Sequence, residues 1–204
     1  MWQHGGNLYP FEDPHRANRT GTPSDSVLKA LRYVTDWTLA LDGGAHVGVV
    51  SRHLAERFES VIAVELAPDT AECLKRNLQG LSVRVINAAL GDKPGRVSYE
   101  GDRSDKSSVR RVVPGRDVEV VTIDSLELPA CGFIKLDLQG YDYLALLGAE
   151  ETIRAYRPVI VFEHKSKCFS RYGIDPDAPK SFLQSCGYRT FRRSGPDVIC
   201  HGEM

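Results

Sequence analysis

Carboxylates stand at the ends of four apolar runs in this sequence. Asp42 closes Trp37-Thr-Leu-Ala-Leu, Glu65 closes Val61-Ile-Ala-Val, Asp137 closes Phe133-Ile-Lys-Leu, and Glu163, followed by His164, closes Val159-Ile-Val-Phe. Such a group can accept hydrogen bonds from a sugar, attract a cation or take a proton from a hydroxyl, and an imidazole titrates where base work at neutral pH needs it. After the first acid comes Gly43-Gly44-Ala45-His46-Val47-Gly48. Glycine there lets the backbone approach a ligand, and Gly48 lets the next helix sit close to its neighbours.

A buried strand, a glycine-rich turn and a helix form the arrangement with which open α/β folds bind nucleotides beyond the carboxyl ends of their strands. The same pattern can also be plain chain reversal. The spacing Gly43, Ala45, Gly48 nearly reproduces the dinucleotide fingerprint, so an NAD-dependent dehydrogenase is one reading. Against it, Ala45 stands where the second glycine must admit a pyrophosphate, and Asp42 would face that negative charge. S-adenosylmethionine has no phosphate and carries an amino group and a sulfonium, both cationic, so Coulomb's law favours it at an acidic mouth. Glu65 would accept hydrogen bonds from both ribose hydroxyls, a role that suits either ligand.

Short apolar runs alternating with helical patterns predict an α/β, Rossmann-like fold with a mostly parallel central sheet and helices on both faces. Strands are expected at 37–42, 60–65, 82–87, 133–137 and 159–163. A helix capped by Ser24 or Asp25 carries Val27, Leu28, Leu31 and Val34, and one crossover helix carries Val47, Val50, Leu54 and Phe58. A second runs from Pro68 to Gly80, a third follows Asp137 and stops before Pro158, and a short one spans about 179–186. Residues 1–24, rich in Gly, Pro, Asn and Asp, read as an irregular arm, and 25–204 as one domain. Within it, 92–130 reads as an insertion or an edge hairpin beside the parallel sheet, with strand-like runs at 96–100 and 118–123 and, near the active face, a polar loop holding Ser107 and Ser108.

Taken together, the motifs resemble the FkbM family of S-adenosylmethionine-dependent methyltransferases. The resemblance runs from about Leu41 to Glu163 through Leu41-Asp-Gly-Gly-Ala-His-Val-Gly48, Val64-Glu-Leu-Ala-Pro68, Ile86-Asn-Ala-Ala-Leu-Gly-Asp92 and Thr122-Ile-Asp-Ser-Leu126, ending in Phe133-Ile-Lys-Leu-Asp137-Leu-Gln-Gly-Tyr-Asp142 and Val161-Phe-Glu163. It implies a class I methyltransferase fold with S-adenosylmethionine as cofactor. Asp42, Gly44, Ala45, His46 and Gly48 would surround the methionine end, Glu65 would hold the ribose, and Asn87, Ala88 and Ala89 would lie along the adenine. The implied acceptor is a hydroxyl of a small molecule or sugar. Where the family usually has a second acid two residues after the strand-end Asp, this chain has Gln139, which cannot ionise. A non-catalytic S-adenosylmethionine-binding module is therefore an alternative.

A hydroxyl acceptor must lose its proton as it takes the methyl group, which makes Asp137, Glu163 and His164 the catalytic candidates. Asp137 could instead orient the cofactor, and Glu163 could pair with Lys135 or Lys165. Tyr141 and Tyr143, at a helix start, could line an acceptor pocket. Glu163, His164 and Cys168 offer metal-ligand types without a further ligand, so no metal is expected. Lys135, Asp137, Glu163 and Lys165 would also suit an RNA ribose 2′-O-methyltransferase. Lysine and arginine total 26 against 27 acids, however, for a net charge of −1, and no aromatic strip for base stacking is apparent, which disfavours a nucleic-acid partner. The five cysteines are odd in number, widely spaced and free of any C-x-x-C pair, unlike a disulfide framework. With no run of about 18 apolar residues and no secretory pattern, neither a membrane partner nor export is expected, and a cytoplasmic location is.

Overall fold

The structure is a computed structural model and describes residues 1–10, 22–101 and 110–202. A hairpin of β1 (Trp2–His4) and β2 (Asn7–Tyr9) comes first. Then follow α1 (Asp25–Ala30), β3 (Leu39–Gly43), α2 (Val49–Ala55), β4 (Ser60–Glu65), α3 (Pro68–Asn77) and β5 (Val83–Asn87). Next are β6 (Ala89–Leu90), β7 (Gly95–Glu100), β8 (Arg111–Val121), β9 (Phe133–Leu136), α4 (Asp142–Leu147), α5 (Glu150–Tyr156) and β10 (Val159–Glu163). The chain continues through α6 (Ser166–Ser170), α7 (Ala178–Ser185), β11 (Thr190–Ser194) and β12 (Asp197–His201).

Seven strands form the central sheet in the order β11-β12-β10-β9-β3-β4-β5. β5, β4, β3, β9 and β10 are mutually parallel, while β12 runs antiparallel to both its neighbours. Because side chains alternate across a strand, each interior strand feeds two cores. Leu39, Leu41, Ile62, Val64, Ile134, Leu136 and Phe162 face a core shared with Leu146, Ile153 and Leu183. Ala40, Val61, Phe133 and Val161 face the opposite one, with Val27, Leu54 and Phe58. The chain goes out through β4 and β5 and returns to β9 on the other side of β3. That reversal opens a crevice at the carboxyl ends of the strands, the edge carrying the four acids.

The expected strands all form, 60–65 and 159–163 with the ends expected and the other three with shifted ends. The first begins at Leu39 because Trp37 stays 36% exposed and packs its ring on Phe58. The helix after Asp137 is two, α4 and α5, parted at Gly148, where a Cβ would come within 2.0 Å of the Gly91 carbonyl oxygen. The inserted hairpin does not edge the parallel sheet: β7 and β8 join β6 in a separate three-stranded sheet. Its second strand starts at Arg111, well before 118, because residues 114–117, with Pro114-Gly115, stand out of the pairing where the register shifts opposite Val97/Ser98. Ser107 and Ser108 lie outside the described residues.

The arm expected to be irregular carries an ordered hairpin at residues 1–10. Asn77 of α3 acts as its docking partner: its Oδ1 accepts the Leu8 N–H at 2.8 Å, and its Nδ2 donates to the carbonyls of Leu8 and Val47 at 3.0 and 2.9 Å. Tyr9 is buried against Val47 and Cys73. Among the described residues, no helix is long and apolar enough to cross a membrane.

Candidate active site

The loop after β3 is held from β4. The Gly44 and Ala45 N–H groups both donate to the Val64 carbonyl, at 2.9 and 3.0 Å, and the His46 N–H donates to Glu65 Oε2 at 2.9 Å. Glu65 Oε1 accepts the Ala67 N–H at 3.0 Å. Burial raises the Glu65 proton affinity, and these two N–H groups with the charges of Arg110 and Lys135 act against the rise. Each carboxylate oxygen has further acceptor capacity, which suits a diol. Asn87 Nδ2 donates to the Glu65 and Leu66 carbonyls, at 2.8 and 3.0 Å, fixing the end of β5 beside that acid. Ala88 and Ala89 are buried behind it.

Two glycines of the loop are required by the backbone. Gly44 has φ +72°, and a Cβ there would lie 2.2 Å from the Asp137 carbonyl oxygen. Gly48 has φ +97°, and a Cβ would meet Leu74 at 2.9 Å. The loop is thus wedged between β9 and α3, as a cradle that must approach a ligand with bare backbone requires.

Asp42 does not open on the crevice as the sequence suggests. It is 0% exposed; its Oδ1 pairs with Lys135 Nζ at 2.9 Å, and its Oδ2 accepts the Ser51 hydroxyl at 2.6 Å. Lys135 also donates to the carbonyls of Gly43 and Gly44, at 3.2 and 2.9 Å. Burial opposes the Lys135 charge, but Asp42 and Asp137 more than offset it, so the ammonium holds its proton above the usual lysine range. The signal for this pair was a lone lysine inside a buried strand. It sits opposite Asp42 in the β3/β9 register, where only an acid could balance it.

On the other side of the crevice, Asp137 is exposed and its Oδ1 accepts the Gln139 amide at 3.1 Å. Glu163 is 4% exposed. Its Oε1 pairs with Lys165, while Oε2 is buried with no hydrogen-bond partner among the described residues. Burial, then the charge of Asp137, raises its proton affinity, with Lys165 acting against the rise. Asp142, which sequence reasoning passed over, is wholly buried and accepts the N–H groups of Leu138 and Gly140, at 3.3 and 3.0 Å. Burial, helped by Asp137 and Glu163, pushes its pKa up to about 7.

The His164 ring is committed elsewhere. Its Nε2 donates to the Pro176 carbonyl at 2.8 Å, and its Nδ1 faces Arg193 at 3.4 Å. A carbonyl can only accept, so Nε2 is the donor of the first contact. Packed against Phe162 and Phe169, the ring fixes the loop after β10 and offers no free nitrogen for base work. Tyr143 turns to Phe182. Tyr141 pairs edge-on with Tyr172, whose hydroxyl donates to the Val112 carbonyl at 3.0 Å and ties this wall to the small sheet. Among the described residues, no group of three His, Cys, Asp or Glu side chains could hold a metal ion.

With this geometry in place, comparison with known proteins is informative. Residues 42–190 match the model of the methyltransferase FkbM domain. A methyltransferase FkbM from Methylobacillus flagellatus KT superposes with a TM-score of 0.56 at 18% identity, covering 81% of this chain and 44% of that one. The chain thus spans under half of that relative's length. Precorrin 8W decarboxylase from Methanobacterium thermoautotrophicum superposes with a TM-score of 0.52 at 14% identity, covering 95% of this chain and 97% of that one. At these identities the superpositions speak for the fold, a class I methyltransferase fold. No curated protein sequence matches the chain.

Proposed function

We propose that this chain, which belongs to the FkbM methyltransferase family, transfers a methyl group from S-adenosylmethionine to a hydroxyl of a small molecule or sugar. When bound, S-adenosylmethionine supplies a methyl group activated by a cationic sulfur. Gly44, Ala45, His46 and Gly48 form the backbone cradle for its methionine end. Glu65 accepts the ribose hydroxyls, and the Asn87-Ala88-Ala89 turn flanks the adenine. Asp42 supports this site from beneath, through Lys135.

One observation carries the choice of a hydroxyl acceptor. Glu163 stands at the carboxyl end of β10 with a proton affinity above the carboxylate norm and one unpartnered oxygen. A hydroxyl attacking the methyl carbon must shed its proton, and a carboxylate lifted toward neutrality is suited to take it. The ion-pair partner of Glu163, Lys165, is 48% exposed. The rest of catalysis is alignment, which the wedged loop supplies.

The test is transfer of an isotope-labelled methyl group to a panel of sugars, polyols and phenols, with RNA and amines alongside, followed by mass spectrometry. Glu163→Gln should lower kcat about 10²- to 10⁴-fold and leave binding of S-adenosylhomocysteine unchanged. Methylation of RNA or amines alone would overturn the reading.

A further inference from the structure

We propose that the N-terminal hairpin belongs to the cofactor site: Tyr9 and Asn77 act as positioning residues that hold the loop after β3 at His46 and Val47, keeping the His46 N–H on Glu65 so that a fixed carboxylate reads the ribose. The inference rests on Glu65 receiving the ribose, as proposed above.

His46 carries a side chain, yet its φ is +51°, a left-handed conformation that such residues keep only where their surroundings impose it. The conformation matters because the His46 N–H is the donor to Glu65 Oε2, at 2.9 Å. On one side, the His46 ring centroid lies 5.9 Å from that of Tyr9, with the rings tilted by 56°. Tyr9 is buried and is backed by Trp2, whose ring is 5.5 Å away, so both strands of the hairpin support the contact. On the other side, Val47 is buried in one cluster with Tyr9 and Cys73, and its carbonyl accepts an amide hydrogen of Asn77 at 2.9 Å.

Asn77 couples the two segments. A primary amide has two N–H donors; one goes to Val47 in the cofactor loop and the other to the Leu8 carbonyl in β2, at 3.0 Å. Its Oδ1 accepts the Leu8 N–H at 2.8 Å, so this one side chain serves β2 as a neighbouring strand would. If the hairpin leaves, the Asn77 oxygen and one of its N–H groups lose their partners, and the side chain turns from Val47 to find others. The Tyr9 ring is then gone from His46 as well. Glu65 keeps the Ala67 N–H on Oε1, but Oε2 is held less firmly, and a carboxylate oriented from one oxygen only is a poorer receptor for a diol.

The full-length, cofactor-free protein is titrated calorimetrically with S-adenosylhomocysteine and with its 2′,3′-dideoxy analogue, which lacks both ribose hydroxyls. The wild type should prefer the first by about tenfold or more, as hydrogen bonds to a carboxylate predict. Tyr9→Ala and Asn77→Ala should each weaken S-adenosylhomocysteine about three- to tenfold and the analogue less than about twofold, so that the preference narrows. Ile199→Ala, which loosens the core beneath β12, should keep the wild-type preference, since a merely structural loss weakens both compounds alike. An unchanged preference in either Tyr9→Ala or Asn77→Ala overturns the proposal, as does the same narrowing in Ile199→Ala. If Asn77→Ala fails to fold, Tyr9→Ala decides alone. A folded wild type that binds neither compound, or both alike, removes the ribose site and the proposal with it. That result is distinct from a wild-type preference that the variants keep, which removes the role of the hairpin and leaves Glu65 its own.

Discussion

The acids of this chain were visible as residues, but their roles depended on partners far away in sequence. Asp42 read as a free carboxylate at a cofactor mouth; a parallel register that brings Lys135 opposite it makes it a buried counter-ion. No local pattern reveals that register, although a lysine in the middle of Phe133-Ile-Lys-Leu required some acid nearby. Glu65, by contrast, keeps to local partners, accepting N–H groups from the adjoining loops. Asp142 stood in the Gly140-Tyr-Asp142 stretch of the motif with no role given to it. Its folded pKa of about 7 against an ordinary 3.8 has a definite sign: the folded protein binds this proton more tightly than the unfolded chain. The resulting stability is full below about pH 4 and is lost as pH rises through about 7. Urea midpoints should therefore fall between about pH 5 and pH 8. Asp142→Asn should flatten that slope in part, because Glu65, Glu163 and Asp197 are shifted the same way.

Elements were legible where periodicity was strong and obscure where turns were absorbed. The buried strands stood out as near-continuous apolar runs, whereas Pro114-Gly115 disguised the middle of β8 as a loop. Nor did the composition of residues 1–10 announce a hairpin, since its anchor is one amide on α3. Asn77→Ala removes three hydrogen bonds and should cost about 1–3 kcal/mol. Amide exchange should speed up selectively at residues 7–9, and uniform acceleration over the whole chain would refute the clamp. The small sheet has its own fastening: Arg110 forks onto Asp69 at the start of α3, with one contact at 2.9 Å, and lies over the Tyr99 ring at 5.4 Å. Because Asp69 is 41% exposed, solvent screens the pair. A double-mutant cycle of Arg110→Ala and Asp69→Ala should give a coupling of about 0.5–1 kcal/mol that shrinks with salt.

At the scale of the whole molecule, strand order reverses between β3 and β9, and the alternating motif pattern foretold the parallel sheet though not that order. The two strands beyond β10 were unforeseen, because Thr190–Ser194 and Asp197–His201 carry no near-continuous apolar run. Ile199, nonetheless, is 2% exposed and belongs to the core that contains Val161 and Phe133. Ile199→Ala should cost about 2–5 kcal/mol and lower the midpoint of global unfolding. Val118→Ala, in the three-stranded sheet, should chiefly speed local opening there, a contrast that hydrogen exchange can read strand by strand. The antiparallel β12 also sets a schedule for biosynthesis. It lies between β10 and β11 yet leaves the ribosome after both, so β10 presents a bare edge of N–H and C=O groups until the last hairpin arrives. A nascent chain paused between residues 163 and 197 is then a sticky intermediate, and slow translation over that stretch calls for a chaperone to shield the edge.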